Sequence, residues 1–218
     1  MSVTLAQLKT RARQRSDMEN STFVSDSELT SYINSSLAEL YDLLVAAYGD
    51  EYFLANPYPI SVVTGTADYT LPTDFYKLKG VDASVNGSQW LNVLPFNFNE
   101  RNRGQNGAPE TLRYRIMGSN IKFNPAVSAS VQIWYVPVAP TLVSDADTFN
   151  DVNKYSEYIV VDAAIKMLQK EESDVSVLMA QKQALKRRLE EMAGNRDAGS
   201  PESVTDIYAQ YDDFWYNR

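Results

Sequence analysis

The chain has 218 residues, 44% of them hydrophobic, enough to bury a sizeable core in one larger or two small domains. It contains no cysteine and no histidine, which excludes disulfides, thiolate nucleophiles, zinc–thiolate sites and any Ser-His-Asp or Cys-His mechanism. A formal net charge of −8 excludes an overall basic face for duplex nucleic acid, which needs clustered Lys and Arg.

Thr4 to Met18 reads as a short helix, with Leu5, Leu8 and Ala12 on one face. Arg11, Arg13 and Arg15 cannot all share that face. This run, and Lys182, Lys186, Arg187 and Arg188 later, are expected to be solvated helix faces, with a local DNA-facing patch as the alternative. Ser25-Asp26-Ser27-Glu28 matches a capping box, in which Ser25 takes a backbone N–H and Glu28 reaches back. Behind it Leu29, Tyr32, Ile33, Leu37, Leu40, Tyr41, Leu44, Val45 and Tyr48 recur at helical spacing, and Gly49 suits the stop. Phe23 and Leu29 are placed to staple the start.

From Tyr52 to about Pro140 the runs become short, β-branched and aromatic, with recurring turn signals. Strands are expected over Pro59–Val63, Tyr69–Leu71 and Tyr76–Val85, with Asn86-Gly87 turning the last into an antiparallel return over Gln89–Leu94. Phe96 to Gly107 reads as a polar loop or short helix. Leu112–Met117, Ile121–Phe123 and Val131–Val136 are expected to form a three-stranded meander. Pro137, Pro140 and the acidic Ser144–Asp147 read as a linker back to helix.

Asp151 or Asn153 suits the cap of a third helix, whose apolar positions are Tyr155, Tyr158, Ile159, Val161, Ala164, Ile165 and Leu168. It ends near Lys170-Glu171-Glu172. Ser173-Asp174 caps a fourth, with Leu178, Ala184, Leu185, Leu189 and Met192 as core candidates and Gly194 as the stop. Residues 196–218 open with Gly, Ser and Pro and close on Tyr208, Tyr211, Phe214, Trp215 and Tyr216. So many large aromatics do not fit a solvated tail, so this arm is expected to dock, on its own body or on another chain.

The expected fold is α+β. A four-helix bundle comes from N- and C-terminal pairs (1–50 and 151–195), with an inserted antiparallel β domain (51–150) and an extended C-terminal arm (196–218). Fourteen tyrosines fit either β structure or interfaces, since tyrosine joins an apolar body to one polar handle.

The search for chemistry returns negatives. Asp145 and Asp147 lack the Gly and distal Glu of a calcium loop, so turn chemistry is the expectation. The nine glycines form no phosphate loop and no nucleophile elbow. Neither a membrane-length apolar run nor a signal-peptide pattern is read at the start. No catalytic residue, metal or cofactor is expected. A carboxylate-only glycosidase or a carbohydrate-binding module, with Trp90, Trp134 or exposed tyrosines as stacking platforms, is the enzymatic or binding alternative. Both tryptophans lie in expected strands, which favours core packing.

Four stretches carry a resemblance. They are Phe23-Val24-Ser25-Asp26-Ser27-Glu28-Leu29 into Tyr32-Ile33-Asn34; Tyr69-Thr70-Leu71-Pro72-Thr73-Asp74-Phe75; Tyr135-Val136-Pro137; and Tyr158 through Lys170-Glu171-Glu172-Ser173-Asp174. In this order the chain resembles the head-to-tail adaptor (connector) proteins of tailed bacteriophages, the type with a β-domain inserted in a helical bundle. The resemblance implies a structural, non-enzymatic virion protein of the neck, assembled in the host cytoplasm. It implies a homo-oligomeric ring of twelve copies beneath the portal protein, extending the DNA exit channel and meeting the tail or nozzle proteins. DNA would pass without sequence recognition, and no membrane is involved. Leu29, Tyr32, Ile33, Leu37, Tyr158, Ile165 and Leu168 would belong to the ring's bundle helices, and Asn99, Arg101 and Arg103 to a tail-facing or lumen loop. The aromatic arm would grip the portal or a neighbouring subunit. Another neck or tail-completion role is the alternative within the virion.

Overall fold

The computed structural model describes residues 2–49, 53–84, 89–101 and 112–193. A short strand β1 (Ser2–Thr4) runs directly into helix α1 (Leu5–Arg15). Thr4 and Gln7 exchange side-chain and backbone hydrogen bonds, a reciprocal capping box that fixes this start. Leu5, Leu8 and Ala12 are fully buried, as their spacing requires.

Helix α2 (Asp26–Tyr48) starts at Ser25, whose hydroxyl accepts the Glu28 N–H. The second half of the expected box does not form. The Glu28 carboxylate accepts instead from Tyr32 Oη at 2.8 Å and Lys170 Nζ at 2.7 Å, because a cation and a phenol outcompete one backbone N–H. The staple is corrected too. Val24 precedes the cap residue and Leu29 sits at the fourth helical position, and both are fully buried in one cluster. Phe23 is exposed beneath the Lys170 ammonium, 4.9 Å from its ring. Gly49, at φ +80°, ends the helix as expected.

The β part contains β2 (Tyr58–Val62), β3 (Asp68–Thr70), β4 (Phe75–Ser84), β5 (Leu91–Asn92), β6 (Leu94–Pro95), β7 (Arg113–Met117), β8 (Asn120–Asn124) and β9 (Ala129–Pro137). They form two four-stranded sheets, ordered β2-β9-β4-β5 and β3-β8-β7-β6. The expected meander is therefore wrong. β7 and β8 pair as a hairpin, but β9 crosses to the other sheet and lies antiparallel between β2 and β4. Alternation explains the error. Val131, Ile133 and Tyr135 all face a core, and that pattern does not say which sheet carries them. The expected return strand also divides. β5 pairs antiparallel with β4, but β6 joins the second sheet parallel to β7. The Asn86-Gly87 turn lies outside the described residues.

The segment expected as a linker holds β10 (Thr148–Asn150), antiparallel to β1, so the chain's start is stitched to the residues that lead back into helix. Asp151 then accepts from the Ser156 N–H and hydroxyl at 2.8 and 2.7 Å across a short 3-10 turn (Val152–Lys154), and α3 (Ser156–Lys170) starts at Tyr155, so neither Asp151 nor Asn153 is its cap residue. Asp174 accepts from the Ser176 N–H at 2.9 Å and opens α4 (Ser176–Ala193), as the Ser173-Asp174 reading expected. Gly194 lies outside the described residues.

The fold is α+β, with four helices packed around one buried cluster and a β structure inserted between the helix pairs. The bundle cluster takes in Leu29, Ile33, Leu37, Leu40, Tyr158, Ile159 and Leu189, together with Leu142 and Phe149 from the return segment. The β cluster joins both sheets through Val81, Ile121, Phe123, Val131 and Ile133. Val136 faces the opposite way from them and is wholly buried against Tyr41 and Val45 of α2. The Tyr41 hydroxyl donates to the Pro137 carbonyl at 2.9 Å beside it. This contact seats the β part on the bundle. Among the described residues no helix is long and apolar enough to cross a membrane.

Candidate interaction surfaces

A polar chain runs through the bundle. Asp162 of α3 is only 5% exposed, and its carboxylate meets Lys166 and Lys182, each at 2.8 Å. Ser36 Oγ of α2 donates to the same carboxylate at 2.6 Å. Lys182 of α4 also reaches Glu39 at 3.0 Å, and Glu39 accepts from Tyr158 Oη at 2.6 Å. Three helices are thereby locked in register. Burial pushes the Asp162 carboxyl up, but hydrogen bonds from Lys166, Lys182 and Ser36 outweigh it and hold it below its ordinary value. Burial and the Glu39 hydrogen bond push the Tyr158 phenol up. A carboxylate so saturated is suited to structure, because a general acid or base needs a free position and a pKa near working pH.

The bundle residues picked from sequence divide by burial. Leu29, Ile33, Leu37, Tyr158 and Ile165 are buried within the subunit, so they shape the bundle and offer no outer surface. Tyr32 and Leu168 are half-buried and pack on the same cluster. Ala184, expected in the core, is exposed, and α4 fully buries Leu189 while Leu178 and Leu185 are half-buried. Met192 is helical.

The arginine run on α1 is solvated only in part, with Arg15 exposed and all three side chains ion-paired. Arg11 and Arg15 both pair with Glu157, and Arg13 reaches Asp26 and the carbonyls of Ser21 and Val24. These partners lie far along the chain or across a turn, beyond the reach of helical spacing. Lys182 likewise points inward, whereas Arg187 and Arg188 are exposed. Two surface depressions flank α1, about 490 Å³ lined by Val3, Ala6, Gln7, Thr10 and Arg11, and about 320 Å³ reaching Glu157 and Val160. Neither lining contains a nucleophile beside a base.

The acidic turn works as backbone chemistry. Asp147 accepts from the Val143 and Ser144 N–H groups, which lowers its carboxyl pKa, and Asp145 pairs with Lys9 at 2.7 Å. Among the described residues no group of three or more acidic side chains is arranged to hold a metal ion.

The two tryptophans separate. Trp134 is half-buried and donates to Asp82 at 2.7 Å, while Trp90 is exposed, against expectation. Trp90 begins an outer edge with Leu91, Leu94 and Phe98, all exposed, that sequence reasoning missed. Alternation in one strand would put Leu91 on the same face as the buried Val93, so the exposure of Leu91 follows from the change of sheet at Val93. Asn99 and Arg101 lie at the end of this edge, and Arg101 sits over the Phe98 ring at 4.6 Å. Arg103 and the arm residues Tyr208, Tyr211, Phe214, Trp215 and Tyr216 lie outside the described residues.

A search of curated proteins gave no match. A comparison with protein families matched residues 3–205 to the family described as SU10 adaptor protein. That match takes in both helix pairs and the whole β insertion, and the chain belongs to the SU10 adaptor protein family.

Proposed function

We propose that the protein is a structural subunit of a bacteriophage neck, forming a ring of twelve copies that joins the portal to the tail and extends the DNA exit channel. The family match over residues 3–205 carries this reading. The build supports it. A ring subunit needs two different surfaces that fit head to tail, and a bundle (1–50 and 151–195) carrying a β insertion (51–150) supplies two unlike ones. In this reading the segment that carries Asn99 and Arg103 faces the tail or the lumen. The arm, 196–218, is the clamp that holds each copy to another chain, the portal or the next adaptor. The net charge of −8 suits a channel along which DNA slides without being held. The polar chain through Asp162 holds the bundle rigid. No catalytic role is assigned to it.

Mass photometry of the purified chain, alone and mixed with its portal, tests the reading. The expected result is a ring of about a dozen copies, or a portal complex of that stoichiometry. A monomer that ignores the portal would overturn it.

A further inference from the structure

We propose that the exposed edge formed by Trp90, Leu91, Leu94 and Phe98, with Arg101, Arg113 and Arg115, is the docking site for residues 201–216 of a neighbouring copy. This rests on the ring reading and narrows the arm's partner to the next subunit.

The edge is concentrated and rigidly built. Trp90, Leu91, Leu94 and Phe98 are 41%, 54%, 57% and 46% exposed within one short segment. Single exposed apolar residues are ordinary, whereas a cluster marks a partner. The chain passes from the edge of one sheet to the edge of the other with only Val93 between β5 and β6. Val93 and Phe96 are buried, and their N–H groups donate to Val81 and Tyr114 carbonyls at 2.8 and 2.9 Å. The outward side chains therefore stand on fixed backbone.

Three arginines make it positive. Arg101 and Arg115 lie over the Phe98 ring at 4.6 and 5.6 Å and donate to the Phe98 and Phe96 carbonyls. Arg113 is exposed opposite Leu94 in the β6–β7 register. Among the described residues none of the three pairs with a carboxylate, and the segment from Gln89 to Arg101 holds one acidic residue, Glu100.

The arm has the complementary composition. Residues 201–216 carry four carboxylates (Glu202, Asp206, Asp212, Asp213), no Lys or Arg, and five aromatics. Arginine pairs with carboxylates and stacks on aromatic faces, so one surface satisfies both classes. Position agrees. α3 runs antiparallel to α2, since Tyr158 meets Glu39 and Lys170 meets Glu28. α4 turns back along α2, and its end at Ala193 points to the bundle end where Tyr41 and Val45 meet the β part. Residues 194–200 then span up to about 25 Å. Among the described residues no other stretch gathers four exposed large apolar side chains within nine positions, and an assembling subunit needs such a surface outside itself, which assigns the edge to a neighbour's arm.

The test uses the full chain, a chain ending at Gly199, Leu94→Glu/Arg113→Glu forms of both, and a labelled peptide of residues 200–218. Among the described residues the buried clusters draw on positions 3–189. Matching urea midpoints verify folding, and Arg101→Glu is a second, milder variant. The peptide is expected to bind the truncated chain, and about thirtyfold more weakly when the edge is substituted. The full chain is expected to form rings that neither truncated nor edge-substituted chains form alone. Mixing the truncated chain with the full-length edge variant should yield mixed pairs, one supplying the edge and the other the arm. Rings unaffected by truncation, equal peptide binding to both edges, or peptide binding without mixed pairs would each overturn the inference. A full chain that forms neither a ring nor a portal complex overturns the ring reading instead, and the peptide measurement still decides whether the edge takes the arm.

Discussion

Lys182 Nζ stands 2.8 Å from Asp162 Oδ1, and through this contact α4 is held on α3 by a carboxylate that is 5% exposed. The pair is one arm of a three-cornered arrangement, because Lys166 and Ser36 bond the same carboxylate. Removing Asp162 therefore differs from removing Lys182. Asp162→Asn leaves two ammonium groups without their shared counter-charge and is expected to cost about 3–5 kcal/mol. Lys182→Met leaves the carboxylate with Lys166 and Ser36 and is expected to cost about 1–3 kcal/mol. Urea denaturation checks both, and an Asp162→Asn chain as stable as the parent would show that the arrangement does not hold the bundle.

The same carboxylate gives an acid limb. Its folded pKa is depressed, so its contribution is present above the unfolded value, about 3.9, and is lost as pH falls through the folded value. Stability is expected to drop below about pH 4, and less steeply in Asp162→Asn. At the other extreme, burial pushes Tyr41 and Tyr135 up to about 12. Their stabilisation is full below the unfolded value near 10 and is lost as pH rises through about 12. Thermal melts from pH 3 to 12 read both limbs, and an acid limb of equal slope in Asp162→Asn would refute the assignment.

What the sequence made legible was local. Ser25, Gly49 and Asp174 marked helix ends because capping acts within a few residues, and Leu5, Leu8 and Ala12 marked a face by spacing alone. The Thr4–Gln7 box fits the same rule and was overlooked beside the stronger-looking Ser25 signal. Non-local relations were not legible. β9 pairs with β2 across some seventy residues, and nothing in its alternation names that partner. Arg11 and Arg15 find Glu157 only after the bundle closes, so their run looked like solvated charge. The edge at Leu91 and Leu94 was hidden by expecting one strand where the chain changes sheets.

The corrected staple can be tested at two adjacent residues. Val24 is fully buried beside Leu29, so Val24→Ala is expected to cost about 1–2.5 kcal/mol in lost burial and cavity. Phe23→Ala loses an exposed ring whose main contact is the Lys170 ammonium, expected to cost under about 1 kcal/mol. Urea midpoints compare them directly. The larger side chain giving the larger loss would return the staple to Phe23.

Leu37 gives the corresponding test of the bundle core. It is 1% exposed and packs within the cluster shared by all four helices. Leu37→Ala is expected to cost about 2–5 kcal/mol, since the helices around it are tied by the Asp162 and Glu39 bonds and cannot fully collapse into the space. Ala184, one turn beyond Ala180 on the exposed side of α4, should accept Lys within about 0.5 kcal/mol, because its side chain meets water and lysine is a good helix former. The contrast separates a bundle packed as described from one with α4 rotated. If Ala184→Lys were the damaging change and Leu37→Ala the tolerated one, the α4 face against α2 and α3 would have to be reassigned, and Lys182 with it.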